Sequence, residues 1–354
     1  MSAADSVLAL ARPEIRALQP YSHAKWDPSL ERMHANEMPW RAQGDNSEAG
    51  LNRYPEPQPH ALLERLSAIY LQPVERLLVG RGSDEAIDLL ARAFCAAGRD
   101  AVVVCPPTFG YYAVAARIQG AEVREVPLQG PDFALDVQGV IEAGRKAKLV
   151  FLCSPNNPTG NRFDADAMLS IVAALHGHAL VVVDEAYIEF AGVASLAGEI
   201  DHHPNLAILR TLSKAYALAG ARCGTLVAHP DVVGLLRRII PPYALPAASV
   251  EETLRLTEAP QRAIAAARIH TLLAERESMR ERLERCTAIR RVWPSEANFL
   301  LVECTDAARV LEAGRSVGLL VRDFSRALRL AGCLRFSVGT PEQNERLLGA
   351  VEAL

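Results

Sequence analysis

Residues 149–160 read LVFLCSPNNPTG, residues 180–187 LVVVDEAY and residues 206–214 LAILRTLSK. Each opens on an unbroken apolar run (Leu149–Cys153, Leu180–Val183, Leu206–Leu209) and passes at once into polar chemistry. Continuous apolar runs of this length read as strands buried on both faces, because a strand with one wet face would alternate. Similar runs occur at Leu77–Val79, Ala101–Cys105, Ala121–Val126 and Thr225–Ala228, with helical patterns between several of them. After Gly82-Ser83-Asp84, for instance, Ile87, Leu90, Ala91 and Phe94 share one helical face. The alternation predicts an α/β fold whose large domain is a mostly parallel sheet covered by helices on both sides. Ligands of such sheets bind beyond the carboxyl ends of the strands, so chemistry is expected in the loops just after these runs.

Working outward, the proline-rich break Pro241–Pro246 marks a domain boundary. A long helical stretch follows, from about Val250 to Cys286, then strands at Phe299–Val302, Leu319–Val321 and Leu334–Val338. A last helix is expected at Thr340-Pro341-Glu342-Gln343, which combines a capping box with proline in the first turn. This tail predicts a smaller α+β domain, and two domains suit 354 residues at roughly 100–200 residues each. A net charge of -4 without a basic run argues against nucleic acid. No run approaches the roughly 18 apolar residues of a membrane span, and the opening MSAADSVLAL lacks the positive charge of a secretory signal. The expectation is a cytoplasmic protein. Seven scattered cysteines, never spaced C-x-x-C, read as reduced thiols, and no histidine cluster suggests a metal.

Four polar segments carry the chemistry: Ser154–Gly160, Asp184–Tyr187, Thr211–Lys214, and Arg222, eight residues beyond the lysine. Singly, each has a dull explanation, such as a turn, a cap or a solvated lysine. Together they suit a phosphorylated, protonatable aromatic cofactor. In this order they resemble the fold-type-I pyridoxal-phosphate-dependent aminotransferases, and most closely their histidinol-phosphate branch. Arg53–Pro55, Gly80–Asp88, Cys105–Tyr112 and Leu334–Thr340 extend the resemblance over nearly the whole chain.

The resemblance implies pyridoxal 5'-phosphate as cofactor, with Lys214 bonding its aldehyde carbon and shuttling protons, a task lysine suits because its pKa shifts readily. Asp184 would face the ring nitrogen and keep it protonated, while Asn157 and Tyr187 would meet the phenolic oxygen. Gly82, Ser83 and Asp84 open a helix able to receive the phosphate. Thr211, Ser213 and Arg222 would join them, along with Tyr54 from a neighbouring subunit. Phe109 stands where the family stacks an aromatic on the ring. On the substrate side, Arg335 matches the family's anion-binding arginine, Arg322 a second one nearby, and Asn36 and Tyr21 belong to the arm expected beside the substrate. Two guanidiniums suit a phosphate dianion better than one carboxylate, which favours L-histidinol phosphate and 2-oxoglutarate; the plainer alternative leaves Arg322 paired with Asp323 in a solvated loop. The departure is Asn36-Glu37-Met38-Pro39-Trp40, where a bulky tryptophan follows the proline and puts specificity in question. The implied organisation is an arm at 1–40 contributing to the small domain and the dimer contact, a cofactor-binding domain at 41–244 and a small domain at 245–354, assembled as a homodimer. Aromatic amino acid transamination and threonine-phosphate decarboxylation remain alternatives on the same scaffold. A cofactor-sensing DNA-binding regulator is disfavoured, since no basic helix-turn-helix pattern precedes Arg53.

Overall fold

The computed structural model describes residues 7–22, 27 and 29–354. A seven-stranded sheet is built from β1 (Leu77–Arg81), β2 (Ala101–Val104), β3 (Glu122–Glu125), β4 (Leu149–Cys153), β5 (Leu180–Asp184), β6 (Leu206–Thr211) and β7 (Cys223–Ala228). Their order is β1-β7-β6-β5-β4-β2-β3. Strands β3, β2, β4, β5 and β6 run parallel; β7 is antiparallel to both its neighbours.

Successive side chains on a strand point to opposite faces, and here both faces are dry. Leu149, Phe151, Leu180 and Val182 pack under the helices Ser83–Phe94, Tyr111–Ile118 and Pro230–Leu236. Val150, Leu152, Val181 and Val183 pack on the other face under His60–Tyr70, Val137–Gly144 and Ala165–Ala174. The expected run Ala121–Val126 behaves differently: as the edge strand β3 it exposes Glu122 and Glu125. Charge on an edge discourages pairing with another sheet.

The second sheet is antiparallel, β10-β11-β9-β8, formed by β8 (Ile289–Val292), β9 (Phe299–Cys304), β10 (Arg322–Asp323) and β11 (Cys333–Ser337). It packs on the helices Ala307–Ser316 and Pro341–Glu352 and on the end of Ala259–Leu283. The last helix starts as expected, with reciprocal capping between Thr340 and Gln343 and proline in its first turn.

Two expectations need correction. The stretch from Val250 is not one helix but two, Ala247–Leu256 and Ala259–Leu283, parted at Thr257–Glu258. Pro260 forces the break, since a residue without an N–H belongs in a first turn. The run Leu319–Val321 is no strand. Leu320 points into solvent, and pairing begins only at Arg322, which meets Arg335 across the ladder. Strand β8 escaped the reading because its centre, Arg290-Arg291, breaks the apolar run.

Candidate active site

The topology gathers the polar segments at one edge of the large sheet. Because β4, β5 and β6 are parallel neighbours, with Cys153 opposite Asp184 and Asp184 opposite Leu209, the loops that follow them open side by side. Strand β7 runs the other way, so Arg222 just before it reaches the same edge, as does Gly82 just after β1. A cavity of about 650 Å³ results. Its lining includes Gly82, Ser83, Asp84, Phe109, Asn157, Asp184, Tyr187, Thr211, Ser213, Lys214, Arg222, Arg322 and Arg335.

One end of the cavity is built for an anion. The helix Ser83–Phe94 begins with no side-chain cap after Gly82, whose φ is 84°. A Cβ at Gly82 would lie 2.6 Å from Arg222 Nη2, and one at Gly224 only 2.2 Å from the Ser83 nitrogen. Two glycines therefore let a strand, a helix start and a guanidinium crowd together. The uncapped first-turn N–H groups and the helix dipole favour a bound phosphate. Arg222 is held there by Asp84 at 3.1 Å, and the Ser213 N–H donates to Thr211 Oγ1 at 3.1 Å.

At the floor, Asp184 is 3% exposed. Its Oδ2 accepts the Tyr112 hydroxyl at 2.6 Å and its Oδ1 the Ala186 N–H at 3.1 Å. Burial outweighs these bonds and pushes its pKa up to about 6. A buried carboxylate supported only by neutral donors is suited to a cationic partner. Next to it in sequence, Glu185 points the other way, as strand alternation requires. It accepts from Ser195 and the Leu196 N–H and lies 3.7 Å from Arg210. Lys214 opens into the cavity with its Nζ 5.9 Å from the Tyr187 ring centroid. Crowding by protein, then the positive field of Arg335, lower its pKa. Of the paired asparagines, Asn156 is buried and ties its loop to Pro107, Thr108 and Thr159. Asn157 faces the cavity and accepts from Arg335.

The small sheet contributes two arginines to the lining. Arg322 and Arg335 are direct cross-strand partners, so like charges face each other, an arrangement that costs stability unless an anion joins them. Asp323 forms no salt bridge with Arg322, though it feels its charge; its carboxylate accepts from the N–H and hydroxyl of Ser325. Among the described residues neither arginine forms a salt bridge, and the buried Arg335 Nε has no partner. Arg335 lies over the rings of Phe299 and Phe324, at 5.0 and 5.3 Å from their centroids.

Three sequence-derived site residues do not line this cavity in their own chain. Tyr21 is 72% exposed. Asn36 and Tyr54 border a separate groove with Arg53 and Pro246. Tyr54 stacks on Tyr243 at 4.5 Å, and its N–H donates to the buried Glu37, which also pairs with Arg53 and Arg32. Conversely, Thr108, Tyr111, Cys153, Ala186, Phe324 and Ala327 line the cavity without having been singled out. Tyr112, the partner of Asp184, was also missed: only the apolar spacing of its helix could have shown that it points inward.

The donor set fits pyridoxal phosphate. An uncapped helix start, a buried carboxylate with no salt bridge among the described residues and a lysine of lowered pKa share one cavity, with Phe109 on its wall. Among the described residues no group of three or more His, Cys, Asp or Glu side chains could hold a metal, and no helix is long and apolar enough to cross a membrane. All seven cysteines are free and buried.

Residues 29–351 match the family model for aminotransferase class I and II. A histidinol-phosphate aminotransferase of Stenotrophomonas maltophilia is 46% identical over 99% of this chain and 97% of its own length. One from Xanthomonas euvesicatoria is 46% identical over 99% and 98%. Among solved structures, the histidinol-phosphate aminotransferase of Clostridium acetobutylicum superposes with a TM-score of 0.78 at 20% identity, covering 86% of this chain and 90% of that one. The Sinorhizobium meliloti enzyme, in complex with pyridoxal-5'-phosphate, gives 0.77 at 24% identity over 85% and 82%. Both share the fold.

Proposed function

Because the chain belongs to the class I and II aminotransferase family, whose members depend on pyridoxal phosphate, we propose that it transfers the amino group of L-histidinol phosphate to 2-oxoglutarate. The products are imidazole-acetol phosphate and L-glutamate, a step of histidine biosynthesis. The observation that carries the substrate is the cross-strand pair Arg322–Arg335, two guanidiniums that line the cavity and form no salt bridge among the described residues. A dianion between them relieves their repulsion and satisfies the free donors.

When bound, the cofactor supplies an electron-withdrawing ring that makes the substrate's Cα–H acidic. Gly82, Ser83, Asp84, Thr211, Ser213 and Arg222 form its phosphate cradle. Asp184 would keep the ring nitrogen protonated, Asn157 and Tyr187 would hydrogen-bond the phenolic oxygen, and Phe109 would stack on the ring. Lys214 anchors it and then carries the proton; its lowered pKa enlarges the share of neutral amine able to accept one. Arg335, steadied by Asn157, orients the substrate over Lys214. Tyr54 works from a second copy of the chain, with Tyr21 and Asn36 beside the substrate; residues 1–6, 23–26 and 28 of the expected arm lie outside the described residues. In this reading the enzyme is a cytoplasmic homodimer with a large domain at 41–244 and a small one at 245–354.

The test compares L-histidinol phosphate with L-histidinol in steady state. The phosphate should contribute about 2–5 kcal/mol to kcat/KM, and Arg322→Ala should narrow the gap. Equal kcat/KM for the two donors would remove the arginine pair from the substrate site.

A further inference from the structure

Arg335 and Arg322 are held very differently. Arg335 sits in the middle of β11, paired over five positions with β9. Arg322 belongs to a two-residue strand, whose pairing with β11 ends at the Phe324 N–H on the Cys333 carbonyl. The chain running on from it forms part of the cavity wall at Phe324 and Ala327 and then reaches Arg329. Arg329 adopts the left-handed backbone region, φ 63°, which a residue with a long side chain takes only when its surroundings hold it there. Its guanidinium forks across the large domain, donating to the Leu128 and Gly130 carbonyls and lying 5.5 Å from the Phe133 ring centroid.

That receiving turn is itself rigid. Gln129 and Ala134 exchange both backbone hydrogen bonds, and Trp293 Nε1 donates to Pro131 at 2.9 Å. The Leu128 N–H donates to Pro106 at 2.8 Å, two residues before Thr108 of the cavity wall. Arg329 thus ties the far end of the Arg322–Ala327 segment to a fixed point beside the opposite wall.

The geometry points to Arg329 as a positioning residue: without touching the substrate, it holds Arg322 and Phe324 against the substrate's anionic end. This rests on the proposed role of the arginine pair. Arg335 depends on it less, its backbone being fixed by the pairing of β11 with β9 and only its contact with the Phe324 ring reaching the tethered segment. A guanidinium suits the place because its rigid fork meets two carbonyls at once, whereas an ammonium is a point charge on a flexible stem whose donors are not fixed in that geometry.

The experiment measures the affinity of inorganic phosphate for the cofactor-loaded enzyme by calorimetry, with the cofactor's own phosphate already occupying the other anion site. Wild type, Arg329→Ala, Arg329→Lys, Arg322→Ala and the Arg322→Ala/Arg329→Ala double variant are compared. Arg329→Ala should weaken phosphate about tenfold, the scale of re-ordering one or two loosened side chains on binding. Arg329→Lys should show a smaller loss in the same direction. In the Arg322→Ala background, losing Arg329 should change the affinity less than about twofold, because coupled residues are not additive. Wild-type affinity in both Arg329 variants overturns the assignment. So does a loss of the same size when Arg322 is already gone, which marks a general effect on the fold. Phosphate affinity reads Arg329 whichever phosphorylated donor the enzyme uses, so failure to turn over L-histidinol phosphate overturns the substrate reading and leaves this one standing.

Discussion

Asp184 concentrates the cost of building this site. Burial lifts its pKa from 3.8 to about 6, so the folded protein binds its proton more tightly than the unfolded chain does. Its contribution to stability is fully present below the unfolded value and is lost as pH rises through about 6. In the cofactor-free protein that loss should amount to roughly 1–3 kcal/mol by neutral pH, and Asp184→Asn should abolish it. Glu185, raised to about 7 by burial, contributes in the same direction. It does so in both proteins, so the difference between their pH-dependent denaturant midpoints isolates Asp184. Identical pH profiles would contradict the assignment. Asp184 was legible because it follows an apolar run directly, where a buried strand must end; Asn157 and Lys214 stand a few residues further on and were read from the order of the motifs and the family they resemble. Tyr112 was not, since its partner lies 72 residues away and nothing local distinguishes it from Tyr111. Nor did the residues say that Glu185 turns inward to Arg210; strand alternation implies it only once Asp184 is known to face the cavity.

Among elements, the sharpest constraint is the approach of β7 to the helix Ser83–Phe94. Gly224→Ala would drive a methyl into the Gly82–Ser83 backbone, 2.2 Å away, and backbone cannot rotate aside. Overpacking of this kind costs about 1–3 kcal/mol, and here it also moves the anion-binding turn. We expect a lower melting temperature together with weaker cofactor affinity in a titration of the cofactor-free protein; unchanged affinity would show that the turn does not hold the phosphate. On the other sheet, Arg335→Ala should weaken a bound substrate anion by about 2–5 kcal/mol, read as the concentration dependence of single turnovers. Unchanged dependence would put the clamp elsewhere. The central strands were readable because burial on both faces leaves continuous apolar runs. Strand β10 was not, for two residues carry no periodicity and their place is set by β11 and the Arg329 tether. The division at Thr257–Glu258 was missed because Ala, Leu, Glu and Arg favour helix on both sides of it.

For the whole molecule, the groove bordered by Asn36 and Tyr54 matters most. Glu37, with its side chain 3% exposed, holds Arg32, Arg53 and the Tyr54 backbone together, so Tyr54 is presented firmly yet away from its own cavity. If it completes the site of a second copy, Tyr54→Ala and Lys214→Ala homodimers should each be impaired. Mixing them under exchange should recover activity, because one site of each mixed dimer is intact; no recovery would contradict the shared site. A one-chain reading of sequence or structure has no signal for such a partner beyond resemblance, which is why the arm's residues were the least legible. The central claim itself is tested by adding L-histidinol phosphate, L-phenylalanine or O-phospho-L-threonine singly to the cofactor-loaded enzyme and following the cofactor's visible absorption. The account predicts rapid loss of that absorption with L-histidinol phosphate and little with the others. A preference for L-phenylalanine, or carbon dioxide release from O-phospho-L-threonine, would contradict it.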